Sequence, residues 1–294
     1  MKKIHLVLLL VFVLSIPTYA VNVIFGAKAG YFVWEPYIQD AGGFFENMKQ
    51  GGGILYGPVV SLIATPDISF SVAYLTGNQS ASWQMNFEQE GDEPDDIRAG
   101  TYSWSLKRHD LDSALSYRLT ENFKLFIGYK LQYTNSALRQ TEVRNDSMSL
   151  VTQAYHSKDE IETFGNGPAI GVGYAHVFGN GFFVAANLSA LYMRGYFKVE
   201  GDFYYSAFGS PIEWQEEPGS PPMKISTNQF GLNIDPTVGY KPQDIGIIFT
   251  LGFRYQWLRT EFADLTTEKK EAVGDPGGLN DHQYGVFFSV LYTI

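Results

Sequence analysis

The chain has 294 residues, no cysteine, 19 Tyr, 22 Phe, 30 Gly and a formal charge of −10. That charge argues against a nucleic-acid partner, because phosphate binding needs a basic face. The missing thiols exclude disulfides, thiolate chemistry and lipid attachment through a cysteine.

Residues 1–20 read as a secretory signal peptide. Lys2 and Lys3 form a basic start, Leu6 to Leu14 an apolar core, and Thr18-Tyr19-Ala20 a small-residue cleavage site. The mature chain is expected to be one domain, 21–294. No later stretch approaches the ~18 consecutive apolar residues of a transmembrane helix.

Apolar residues instead recur at every second position, the strand signal, in ten successive runs. The first is Val23, Phe25, Ala27, Ala29, Tyr31, Val33, and the second runs from Ile54 to Leu62 on the even positions. The third is Ile68 to Tyr74, the fourth Leu111 to Leu119, and the fifth Phe123 to Tyr133. The sixth is Ile170 to Tyr174, the seventh Phe182 to Tyr192, and the eighth Phe230 to Tyr240. The ninth, Ile245 to Trp257, is the cleanest, and the tenth, Tyr284 to Ile294, ends the chain.

Short and long connections alternate strictly. Tight turns are predicted at 64–67, 119–122, 178–181 and 241–244, and Pro, Gly, Asn and Asp suit three of them. Long connections are predicted at roughly 34–52, 77–100, 135–165, 198–226 and 260–281. The apolar face of each run is long enough for the ~9–11 residues of a tilted membrane strand. The opposite face carries Gly, Ser, Thr, Asn, Gln and charge. Tyr and Trp gather at run ends, as in the aromatic girdles of membrane barrels.

Together these features make the chain resemble a bacterial outer-membrane β-barrel. The last run, "YGVFFSVLYTI", is similar to the C-terminal assembly signal of that class, although it ends on Ile294 rather than an aromatic residue. The resemblance implies an all-β, up-and-down antiparallel transmembrane barrel of about ten strands. Short turns would face the periplasm and long loops the outside. Its partners would be outer-membrane lipid, the assembly machinery that reads the last strand, and possible extracellular ligands. In lipid every backbone polar group must be paired, so the sheet must close and the first and last strands meet.

If the odd residues of the ninth run face lipid, Arg254 faces inward. The same phase places Lys28, Asp112, Arg118, Lys124, Lys130 and Asp235 in the lumen. Counting around the second turn sets Asp112 opposite Lys130. Counting around the fourth sets Gly231 opposite Arg254, with Asp235 a diagonal partner. A charged conduit or a plug of paired charges would each fit. Ten strands lie near the filled end of the size range, which favours the plug.

The acidic run Glu90-Gly91-Asp92-Glu93-Pro94-Asp95-Asp96 does not have calcium-loop spacing and reads as a solvated loop. Phe203, Tyr204, Tyr205, Phe208 and Trp214 are candidate loop contacts for a partner or sugar. Ten strands with tall loops also invite comparison with omptin proteases, which use an Asp pair and an Asp–His pair at the rim. Here His109 alternates away from Asp110 and Asp112, so the motif is not matched. No metal site, cofactor or catalytic residue is expected. The leading expectation is a non-enzymatic surface protein with a largely plugged lumen. A narrow porin-like channel and a rim-active hydrolase are the alternatives.

Overall fold

The computed structural model describes residues 22–35, 50–88, 97–146, 151–207, 215–217, 223–242, 245–263 and 279–294. The proposed signal segment, the acidic run 90–96, Phe208 and Trp214 lie outside the described residues.

Among the described residues eleven strands form one antiparallel sheet: β1 (Asn22–Glu35), β2 (Gly51–Ile63), β3 (Ile68–Glu88), β4 (Ile97–Arg118), β5 (Phe123–Asp146), β6 (Val151–Val177), β7 (Phe182–Ala207), β8 (Gln215–Glu217), β9 (Met223–Tyr240), β10 (Ile247–Phe262) and β11 (Leu279–Thr293). Ten of them close a ring in the order β1-β2-β3-β4-β5-β6-β7-β9-β10-β11, with β11 pairing back to β1. The three-residue β8 lies outside the ring, added to the upper end of β7. Closure removes the two sheet edges, as a membrane-crossing sheet requires.

Two of the tight turns are fixed by threonine rather than by glycine or proline. Thr65 Oγ1 accepts the backbone N–H of Ile68 at 3.0 Å, and Thr120 Oγ1 accepts that of Phe123 at 3.1 Å. At the third, Gly181 takes φ +85°, a left-handed conformation that suits glycine. The fourth connection is longer than the sequence predicts. β10 begins at Ile247, and Phe249 is the first residue paired to Tyr240.

Outward side chains form a continuous apolar band. Ile127 is 60% and Ile170 65% exposed, with Phe123, Leu125, Leu251, Val286 and Phe288 also uncovered. An apolar surface that encircles a closed barrel is stable only in contact with hydrocarbon. Above the band lies a polar aromatic girdle. Tyr129 donates to Asn166, Tyr192 to Asn228 at 3.1 Å, and Trp257 Nε1 to Asn280 at 3.2 Å.

The rim is lopsided. β1, β2, β10 and β11 have 13–16 residues, whereas β5, β6 and β7 have 24, 27 and 26. The latter run to more than twice the ~9–11 residues that cross hydrocarbon. Most of the predicted long connections at 77–100, 135–165 and 198–226 are therefore paired strand. Phe203, Tyr204 and Tyr205, expected in a loop, lie within β7, paired to Ser157, His156 and Tyr155 of β6. Alternation sought on the lipid face does not reveal this extension, because above the membrane the apolar residues switch to the inward face, as Tyr102, Trp104 and Leu106 do on β4 between exposed Ser103 and Ser105.

The interior is not uniformly polar. Phe32, Leu55, Leu75 and Phe287 form one buried cluster inside the ring, and Leu191, Met193 and Leu258 another. Trp34 and Trp104 face each other with ring centroids 4.8 Å apart.

Candidate functional site

The lumen charges are positioned by strand register. Asp112 on β4 is directly opposite Lys130 on β5, and Lys130 Nζ donates to Asp112 Oδ1 at 2.8 Å. The short 119–122 turn fixes this pairing.

Arg254 on β10 differs from its expected setting. Gly231 pairs with Leu258, four residues from the predicted position, because the 241–246 connection is long. The glycine opposite Arg254 is Gly285 of β11. A Cβ there would lie 2.6 Å from the Phe32 side chain, so glycine is needed for Phe32 to lie beside the arginine. Asp235 is a direct neighbour of Arg254 rather than a diagonal one. Arg254 Nε and Nη2 donate to its two carboxylate oxygens at 2.8 and 3.0 Å. Such a fork is the strong geometry for a guanidinium–carboxylate pair.

The third nitrogen of Arg254, Nη1, donates to Asp112 Oδ2 at 3.0 Å. β4 and β10 are five places apart in the ring whichever way it is followed. This bond therefore crosses the whole diameter of the barrel. Asp235, Arg254, Asp112 and Lys130 form one chain of ion pairs from wall to wall.

Lys28 and Lys124 line the same cavity, which measures about 330 Å³. Lys28 Nζ stands 3.3 Å from the centroid of the Phe287 ring, a cation–π contact. Arg118, at the turn end of β4, is exposed and does not join the network. The structure thus brings together six of the seven lumen residues named from sequence.

A second polar group escapes a search for apolar alternation. Arg108 is fully buried; its Nε contacts both oxygens of Asp110, and its Nη2 donates to Gln132 Oε1 at 2.9 Å. Gln256 Nε2 reaches the same Gln132 oxygen from β10 at 3.1 Å. Asp281 accepts from Trp34 Nε1. Among the described residues Arg108 Nη1 has no partner, nor do Gln79 Oε1, Gln256 Oε1 and Gln283 Nε2. The signal for this group was a run of long polar side chains at inward positions of β3, β4, β10 and β11.

The histidines face elsewhere. His109 points outward and shares hydrogen bonds with Tyr74 at 2.7 Å and Thr76 at 3.0 Å. His282, on β11, bonds Tyr255 at 2.8 Å. Asp110 and Asp112, the acidic pair nearest to a protease arrangement, are both held in ion pairs. Among the described residues no group of three or more His, Cys, Asp or Glu could hold a metal ion.

On the projecting wall, Lys158 donates to Glu160 at 2.5 Å and holds its carboxyl below the usual range. Tyr196 donates to Glu162 at 2.5 Å, which pushes the phenol up to about 12.

Solved structures similar to this chain are membrane barrels. The outer-membrane protease OmpT from Escherichia coli aligns over 93% of this chain and 96% of its own, at 10% identity and a TM-score of 0.44. Neisserial surface protein A aligns over 92% of this chain and 97% of its own, at 8% identity and a TM-score of 0.31. CarO from Acinetobacter baumannii aligns over 90% of this chain and 96% of its own, at 14% identity and a TM-score of 0.33. At these identities the likeness is one of fold and not of activity. No family model and no curated protein matches the sequence.

Proposed function

We propose that the protein is a non-conducting, non-enzymatic surface barrel of a bacterial outer membrane. Its short turns face the periplasm, and its tall β3–β7 wall meets an extracellular or envelope component. The observation that supports this reading best is the Arg254–Asp112 bond, which ties opposite walls together across the lumen. Above it the interior is occupied by Arg108, Phe32, Leu55, Met193, Leu258 and Gln256, each at most 1% exposed. An ion crossing the barrel would have to break a paired, desolvated network. With the lumen so filled, the surface left for recognition is the projecting wall. A single-channel measurement in planar bilayers tests the reading. The full-length barrel is expected to give no stepwise openings, and ohmic openings from the wild-type protein would overturn it in favour of a porin-like conduit.

A further inference from the structure

The cavity beneath the cross-lumen tie carries an excess of positive charge. Its lining includes Lys28, Lys124, Lys130 and Arg254, but only two carboxylates, Asp112 and Asp235. Both carboxylates are already taken: Asp235 by Arg254, and Asp112 by Arg254 and Lys130. Among the described residues, Lys28 and Lys124 have no carboxylate within ion-pair distance, and Lys28 has only the face of Phe287. Lys28 and Lys124 thus share a cavity of about 330 Å³ without an ion-pair partner of their own among the described residues.

The cavity lies toward the short-turn end. Ser61, Ser116 and Lys124 line it and sit within a few residues of the 64–67 and 119–122 turns. Arg118, on the same inward face of β4 as Ser116 and two residues nearer the turn, is exposed and adds another positive charge at that end. The wall is shaped to bring donors inward. Gly173 of β6 lets the Lys124 stem lie flat, since a Cβ there would be 2.4 Å from Lys124 Cε and 2.7 Å from Asn187 Oδ1. Ser189 and Ser289 add hydroxyl donors to the same lining.

We propose that this cavity binds a small oxyanion of the phosphate or sulfate type, entering from the short-turn side. Two ammonium groups, hydroxyl donors and a boundary of low dielectric make a strong anion trap, in which each charge-assisted hydrogen bond exceeds a neutral one. The Arg254–Asp112 tie roofs the site, so occupancy does not require passage through the barrel.

Calorimetric titration of the full-length barrel, refolded in an uncharged detergent, with inorganic phosphate and separately with sulfate tests this. Saturable binding is expected, weakened on the order of tenfold by Lys28→Met or Lys124→Met, about one charge-assisted hydrogen bond each, and unchanged by Lys107→Met on the outer wall. Neither lumen substitution breaks an ion pair, so both variants should retain heat-modifiable gel mobility and unfold no earlier than wild type in phosphate-free buffer. Absence of saturable binding by the wild type overturns the proposal, as does binding that survives the double variant. Conductance of the same preparation separates this site from the plugged reading. Binding without openings leaves both standing, whereas binding with anion-selective openings keeps the site and sinks the plug.

Discussion

The two buried polar groups inside the barrel are built from the same residue types but hold the molecule differently. In the lower one, Arg254 uses all three nitrogens on two carboxylates from two other strands, one on the far wall. In the upper one, Arg108 is paired with Asp110, two residues along its own strand, and its Nη1 has no partner among the described residues. The Arg108–Asp110 charge pair lies within one strand, and the upper group reaches the far wall only through Gln132, whose oxygen Arg108 and Gln256 share. A pair across the diameter sets the distance between walls. The contrast shows that buried charges must be judged by what they connect.

The largest effect is expected from Arg254→Ala. It leaves Asp112 to Lys130 and takes the ion-pair partner from Asp235, and breaking a buried pair of this kind costs about 3–5 kcal/mol. Urea unfolding of the refolded barrel should show that loss, and the variant should leak ions in planar bilayers. An unchanged midpoint with no leak would remove the distinction between the two groups. Next comes the upper pair. Arg108→Met alone strands the buried Asp110 and should destabilise by about 3 kcal/mol, whereas Arg108→Met with Asp110→Leu should return to within about 1 kcal/mol of wild type. If the double variant stays as damaged as the single one, the upper pair also carries structure. Gln132→Leu removes the acceptor shared by Arg108 and Gln256 and should cost about 1–3 kcal/mol by the same unfolding assay.

The smallest effect lies outside the membrane. The Tyr196 phenol, raised to about 12 by its bond to Glu162, favours the folded wall fully below its ordinary value of about 10. That contribution is lost as pH rises from there through about 12. Glu162→Gln should bring the Tyr196 ionisation back toward about 10 in an ultraviolet titration. An unmoved titration would show that burial, not the carboxylate, sets it.

What could be read from sequence follows from how each feature is encoded. The barrel was legible because lipid imposes a strict period of two on the outward face, as in Ile245 to Trp257. Asp112 and Lys130 could be paired by counting because the turn between their strands is short. Asp235 was misplaced by four residues because the same counting crossed a longer connection. The extension of β3–β7 was hidden because its apolar residues, such as Tyr102, Trp104 and Leu106, lie on the inward face while the outward one is polar. The buried Phe32, Leu55, Leu75 and Phe287 were hidden for the same reason. They place apolar side chains on the inward face, where a simple alternation expects polar ones.

Pro236 gives Arg254 a further meaning. The β9–β10 pairing passes from Gly252–Thr237 to Tyr255–Ile234 without pairing Phe253 or Arg254, because Pro236 has no N–H to offer. The guanidinium fork to Asp235 sits at that missing rung. It works as a clasp sewn over a gap in the seam. The β2–β3 and β6–β7 seams skip the same rungs at Pro58 and Pro168, and among the described residues the gap at Pro236 alone is spanned by an ion pair, that of Arg254. Without it, amide exchange should quicken first at this point of the barrel, and opening would start from within the membrane rather than from the rim.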